Sequence, residues 1–440
     1  LSLVVLMGIV AVGIIAAPLI ARFYTIALEG SQAEAQREVL TFLLRLFLPQ
    51  IIFYALAAIT AGLLNAHKRF GPPMYTPVLN NLAVIVIFVA FHQAYPSITL
   101  EGIKDHQLWI IGLGTTGGVA LMAIAQLPFL RGLGRYRLSA GVRHPSVKKL
   151  ARLSVFVIGY VIANQIGYLI VQVLANDQQG GYSAYISAFT FFMLPHGLFA
   201  VSVITALLPG MSEHAVHERW DAFKERLSVG IRATVLLVLP AAIGYFVLSQ
   251  QIVQLLLERG VFSERSTELV SAVLRFFVLG LVPFSLFQLM LRAFYAMQDT
   301  RTPFLINCAA VALNIVLNVA LFAAIGVEGL AAGHAAAYTF GLFLQLRALR
   351  KRIGPLDGKR ILRSIVRIAG AGIGMGVAVA GFIEVTDRVV HDPSTGMQLG
   401  IISLAVVVGA GGYLILARLL KVEELQLARG IVTRRAAGPS

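Results

Sequence analysis

The chain predicts an all-α polytopic membrane protein: a two-lobed helical bundle with a parallel internal repeat, with twelve transmembrane helices present of an expected fourteen. Three observations carry that expectation. Hydrophobic residues make up 58% of the 440 residues and charged residues only 13%, with a mean hydropathy of +0.81; an ordinary soluble domain is about a quarter charged. Uncharged runs near the roughly 20 residues that cross a bilayer recur along the whole length. Finally, the basic, proline-broken stretch "NAHKRFGPPMYTPVLNN" at 65–81 is echoed by "YAMQDTRTPFLIN" at 295–307.

The spans follow in order. The first two, near 1–22 and 42–64, flank a polar loop. His67, Lys68 and Arg69 then open a hinge in which Pro72, Pro73 and Pro77 stop one helix and start the next, so the third span falls near 76–92. The fourth lies near 108–130, and a strongly basic loop leads to the fifth near 150–174, with its "YLIVQVLA". The sixth, seventh and eighth are expected near 183–209, 228–250 and 270–296. The second hinge, closed by Pro303, introduces the ninth near 303–323, followed by the tenth near 327–346. The eleventh, near 364–385, carries "GAGIGMGVAVAG", whose small residues suit close helix packing. The twelfth, near 397–417, reads "LGIISLAVVVGAGGYLILA".

The net charge of +15 raises nucleic acid as a partner, but its distribution decides otherwise. Alternate loops hold 24 and 6 of the 36 Lys and Arg residues. The positive-inside rule makes the basic set, both hinges and the C-terminus among them, cytoplasmic. The basic charge is topological. The bilayer is the expected partner, and nucleic acid is not. The single cysteine, Cys308, offers no disulfide framework.

A shift of 230 residues places "LRLF" (44–47) on "LRFF" (274–277), Ala66 on Ala296 and Pro73 on Pro303. With slight slippage, Gln126-Leu127 and Leu130-Arg131 fall on Gln345-Leu346 and Leu349-Arg350. A duplicated bundle with both hinges on one side is a parallel repeat. The second copy has two further helices before its matched ones, and the chain starts on Leu1 inside a span, so two N-terminal helices are expected to precede it. The expected domains are a remainder of the N-terminal lobe (1–145, four helices), a C-terminal lobe (146–350, six helices), an extra helix pair (351–425) and a tail or linker (426–440).

Acidic residues lie in loops or near helix ends, Glu328 and Glu384 being nearest to a span. A proton-coupled core or an intramembrane hydrolase needs buried acids or a histidine constellation. His196 and His334 have no acid at helical spacing and read as packing residues. No catalytic, metal or phosphate-loop pattern occurs, so an enzyme is not expected. Six arginines stand at span edges: Arg45, Arg152, Arg232, Arg275, Arg292 and Arg367. Arg45 and Arg275 are repeat partners, read as near the outer ends of their helices, and Arg292 lies near the inner end of the same helix as Arg275. Two readings stay open for them: snorkelling to the interface, or lining a cavity that meets an anionic substrate. Asn314 and Asn318, at i and i+4, and Asn164 with Gln165 either bond across helices or form a weak oxygen site for Na⁺.

"LLNAHKRFGPPMYTPVLNN", "LPHGLFAVSVITALLPGMSEHA" (194–215), "LLLERGVFSERST" (255–267) and "RAFYAMQDTRTP" (292–303), in this order and spacing, resemble the MurJ/MviN family of the MOP exporter superfamily. The resemblance covers essentially the whole chain and begins at the family's third helix. It implies a fourteen-helix, two-lobed fold with alternating access in the bacterial inner membrane. The implied substrate is lipid II, an undecaprenyl-pyrophosphate disaccharide-pentapeptide of cell-wall synthesis, carried from the cytoplasmic to the outer leaflet. No cofactor is implied beyond Na⁺ or the membrane potential as driving force, and cell-wall synthesis proteins are implied partners. Substrate-site positions of the family fall on Thr190, Met193 and Gln288, none of them charged here, with Arg292 one turn beyond Gln288. Asn314 and Asn318 fall in the cation-site region of some members, without the acid expected there. The "LPHGLFAVS" stretch points to an actinobacterial-type branch. Two alternatives are a MATE-like antiporter of drugs or organic cations and a non-transporting membrane scaffold for cell-wall synthesis.

Overall fold

The computed structural model describes residues 2–25, 31–67, 69–96, 102–132, 145–257, 264–390 and 394–425. Lys68 and the expected tail at 426–440 lie outside them. Two compact units divide the chain, Leu1–His144 and Pro145–Ser440.

The first unit contains α1 (Ser2–Tyr24), α2 (Ser31–Phe47), α3 (Gln50–Ala66), α4 (Gly71–Ala94) and α5 (Asp105–Gln126). The second contains α6 (Pro145–Asn176), α7 (Gly181–Pro195), a π turn (His196–Ala200), α8 (Val201–Val216), α9 (Trp220–Leu257), α10 (Glu264–Leu279), α11 (Leu281–Ala296), α12 (Arg301–Ile325), α13 (Val327–Ile353), α14 (Gly358–Val389) and α15 (Thr395–Leu419). Among the described residues, nine helical segments are long and apolar enough to cross a membrane, or ten when the α10–α11 pair, bent by 49°, counts as one. Two of the twelve expected spans fall short of that standard. The first has only Leu6–Arg22 as a shorter apolar helix. The tenth lies on α13, whose small and polar residues pack against α10, α11 and α12.

Each unit repeats the same arrangement. In the first, α1 packs on α2 and α3, and α5 packs on α2, α3 and α4; in the second, α9 packs on α10 and α11, and α13 packs on α10, α11 and α12. The hinges match atom for atom. Arg69 N–H donates to Leu64 O (2.8 Å) and Asp299 N–H to Phe294 O (3.0 Å), 230 residues apart. The helices that follow start at Gly71 and Arg301, again 230 apart. Pro72 and Pro73 occupy the first turn of α4, where a missing N–H costs nothing. Pro77 lies inside α4, and Pro303 sits buried in the first turn of α12.

The span expected near 42–64 begins earlier than its apolar run, because the amphipathic α2 precedes it and breaks at Leu48–Pro49. Its repeat partner, the α10–α11 rod, breaks at Gly280. Arg45 and Arg275 therefore lie about one turn before these breaks, towards the middle of each rod, and not near its outer end as the hydropathy pattern suggests. The turn between α12 and α13 depends on Gly326, whose φ of +70° excludes most side chains. Gln178 Oε1 accepts the Val327 N–H there (3.1 Å), closing the N-terminus of α13.

Candidate functional site

Arg275 and Arg292 ride on the kinked α10–α11 rod. The Arg275 side chain is exposed, yet its Nε donates to Ser249 Oγ on α9 at 2.8 Å, and Ser249 is itself fully buried. A buried hydroxyl thus fixes the stem while the guanidinium keeps donors free. Arg292 is also exposed, with its guanidinium carbon 6.0 Å from the centroid of the Tyr295 ring, within the range of a cation–π contact. Gln288, one turn before it, is half-buried on α11. Arg45, the repeat partner of Arg275, is exposed on α2 of the first unit.

Tyr160, on α6, anchors two amides through its backbone. Its carbonyl accepts Asn164 Nδ2 (2.8 Å) and Asn307 Nδ2 (3.5 Å). A polar pocket, about 200 Å³, lies among α6, α7, α12 and α13 and is lined by Asn164, Gln165, Asn307, Asn314, His334 and Tyr338, with aromatic and small residues completing the wall. Asn164, Gln165 and Asn314 are therefore brought together on one pocket wall. Asn318 is fully buried behind them and exchanges two bonds with Asn314: Asn314 Nδ2 to Asn318 Oδ1 at 3.2 Å, and Asn318 Nδ2 to Asn314 Oδ1 at 3.1 Å. Asn307 was not singled out in the sequence. Its position two turns before Asn314, on the same stripe of α12, is the signal that could have found it.

Thr190 stands apart from this pocket. It is exposed on α7, its hydroxyl donating to Ile186 O at 2.9 Å, and Met193 packs against the aromatic core of the unit. The two histidines are packing residues in geometry as well. His196, in the π turn, shares a 3.0 Å hydrogen bond with Ser285 on α11, and His334 sits among Phe189, Phe192, Phe277, Phe284 and Tyr338. Among the described residues, no group of three or more His, Cys, Asp or Glu could hold a metal ion.

Arg232 corrects the snorkelling expectation. It is 2% exposed on α9 and pairs with Glu424, just beyond α15, with Glu423 further off at 3.7 Å. Glu423 also accepts Arg360 Nε from the first turn of α14 at 3.0 Å, and Arg367 donates to Lys421 O at 2.9 Å. The pair Glu423-Glu424, alone in an otherwise basic C-terminal stretch, was the available signal. These contacts bind the end of α15 to α9 and α14.

The second unit thus carries two exposed guanidiniums held by neutral neighbours and, separately, an uncharged amide pocket. The guanidiniums can attract an anion.

The profile of the family described as "Lipid II flippase MurJ" matches residues 1–392. A probable lipid II flippase MurJ of Vibrio cholerae is 27% identical over 425 residues, covering 96% of this chain and 79% of that protein. One from Thermotoga maritima is 30% identical, covering 88% of this chain and 73% of its own length. Among solved structures, a lipid II flippase MurJ in an inward closed conformation is similar with a TM-score of 0.71 at 21% identity, covering 96% of this chain and 82% of that one. An inward-facing multidrug MATE transporter of the MOP superfamily is similar at a TM-score of 0.63 and 13% identity, over 81% and 80%.

Proposed function

Because the chain belongs to the family of MurJ lipid II flippases, we propose that it moves lipid II across the bacterial inner membrane, from the cytoplasmic to the outer leaflet, by alternating access. The match of the family profile over residues 1–392 carries this reading. The apolar helices make the protein multi-pass, and the Lys- and Arg-rich loops put both hinges and the C-terminus in the cytoplasm. The work is transport without bond cleavage.

The physical problem fits the residues. A pyrophosphate cannot enter hydrocarbon unaided, since each unpaired buried charge costs at least several kcal/mol. Arg275 and Arg292, exposed and free of carboxylate partners among the described residues, offer compensating charge in the second unit, as Arg45 does in the first. An inside-negative potential favours outward movement of an anion by about 2.3 kcal/mol per charge per 100 mV, so the membrane potential is the driving force in this reading.

Thr190 gives one specific ground for the scaffold alternative, because a cation position of the family is filled by a hydroxyl already bonded to its own helix. Cells depleted of their own flippase and supplied with this gene separate the two. Transport predicts that lipid II again becomes accessible at the outer face and that the Arg275→Ala, Arg292→Ala variant fails to restore this. A scaffold predicts that the double variant supports growth like the parent. The antiporter alternative rests on the fold likeness to MATE proteins alone.

A further inference from the structure

We infer that the pocket among α6, α7, α12 and α13 is a neutral, water-holding site, and that the second unit works without a monovalent cation bound there. A cation in a low-dielectric interior needs an anion or several convergent free oxygens. This pocket supplies neither. Its polar lining is amide, phenol and imidazole, with no Asp or Glu.

The oxygens that could converge are committed. Asn314 and Asn318 each spend their amide oxygen on the other's NH₂, at 3.2 and 3.1 Å. Turning both oxygens towards one ion would break both bonds. Asn318 is packed closely against α13 at Gly333: a methyl group added there would stand 2.4 Å from Asn318 Oδ1. Asn164 is held in the same way, donating to Tyr160 O at 2.8 Å and accepting from the Tyr338 hydroxyl at 3.5 Å.

Besides the exposed amide of Gln165, the pocket leaves open one buried amide oxygen and one buried ring nitrogen. Asn307 Oδ1 and His334 Nε2 are buried and find no hydrogen-bond partner among the described residues. Water, which both donates and accepts, satisfies such a pair, whereas an alkali cation would serve the oxygen and leave the nitrogen orphaned. A volume of about 200 Å³ is ample for several waters.

The test is made without lipid II, so that it stands or falls separately from the transport reading. Protein expressed from the complete gene is purified in choline chloride, and its unfolding midpoint and ²²Na⁺ binding are followed as NaCl replaces choline at constant ionic strength. The expected result is an unmoved midpoint and no saturable binding. Asn318→Asp, which supplies the absent anion, should acquire a saturable, Na⁺-dependent rise in the midpoint. A flat wild type supports the inference even where that variant fails to fold. Saturable Na⁺ binding by the wild type, lost in Asn314→Ala, would overturn it.

Discussion

Gln126 and Gln345 are repeat partners with opposite fates, and removing each amide should change stability in opposite directions. In the first unit the Gln126 side chain ties three helices: Thr60 Oγ1 donates to its Oε1 at 2.6 Å, and its Nε2 donates to Thr76 Oγ1 at 2.9 Å. In the second unit the positions 230 residues beyond those threonines hold Met290 and Ile306, which offer no hydroxyl. Gln345 is fully buried there, and neither its Nε2 nor its Oε1 has a partner among the described residues. Each unsatisfied buried group costs about 1–3 kcal/mol, and replacement by an apolar group of like shape recovers it. Gln345→Met should therefore stabilise the protein by about 1–3 kcal/mol, since packing losses offset part of the two-group total. Gln126→Met should destabilise it by about 1–2 kcal/mol, because interhelical bonds in membranes average about 0.6 and reach about 1.7 kcal/mol. Reversible unfolding in a denaturing detergent, read by circular dichroism, measures both. Equal destabilisation by the two substitutions would refute the reasoning, as it would mean that Gln345 has a partner of its own.

Arg232→Met should destabilise by about 3–5 kcal/mol, leaving Glu424 buried and unpaired, while Arg232→Met with Glu424→Leu should recover most of that loss; the same unfolding assay checks it, and a double variant as unstable as the single would contradict the pairing. Pro73→Ala and Pro303→Ala, in the first turns of repeat-related helices, should slow transport while leaving the unfolding midpoint largely intact. Unchanged rates in reconstituted vesicles would remove the hinges from the mechanism.

Much of the fold was legible because the bilayer makes composition speak. Apolar runs located the helices, and the echo of 65–81 in 295–307 located the repeat, down to the bonds Arg69 to Leu64 and Asp299 to Phe294. Helix starts were harder. α2 is amphipathic, so hydropathy missed the beginning of its rod, and α13 carries enough small and polar residues to fall below the apolarity of the other spans. The amides Asn164, Gln165 and Asn314 were found by their rarity inside apolar helices, yet that they would meet at one pocket depends on how α6 and α12 pack, which no spacing encodes. The Arg232–Glu424 pair joins residues 192 apart, and local pattern cannot see such a contact.

The central claim is tested most directly by reconstituting the protein, expressed from its complete gene, in liposomes carrying labelled lipid II, and following the label's accessibility to an external quencher with and without an imposed potential. The account predicts exchange between leaflets that quickens under an inside-negative potential and is lost in the Arg275→Ala, Arg292→Ala variant with the protein still folded. Folded wild-type protein that binds lipid II but exchanges none of it, at any potential, would contradict the account.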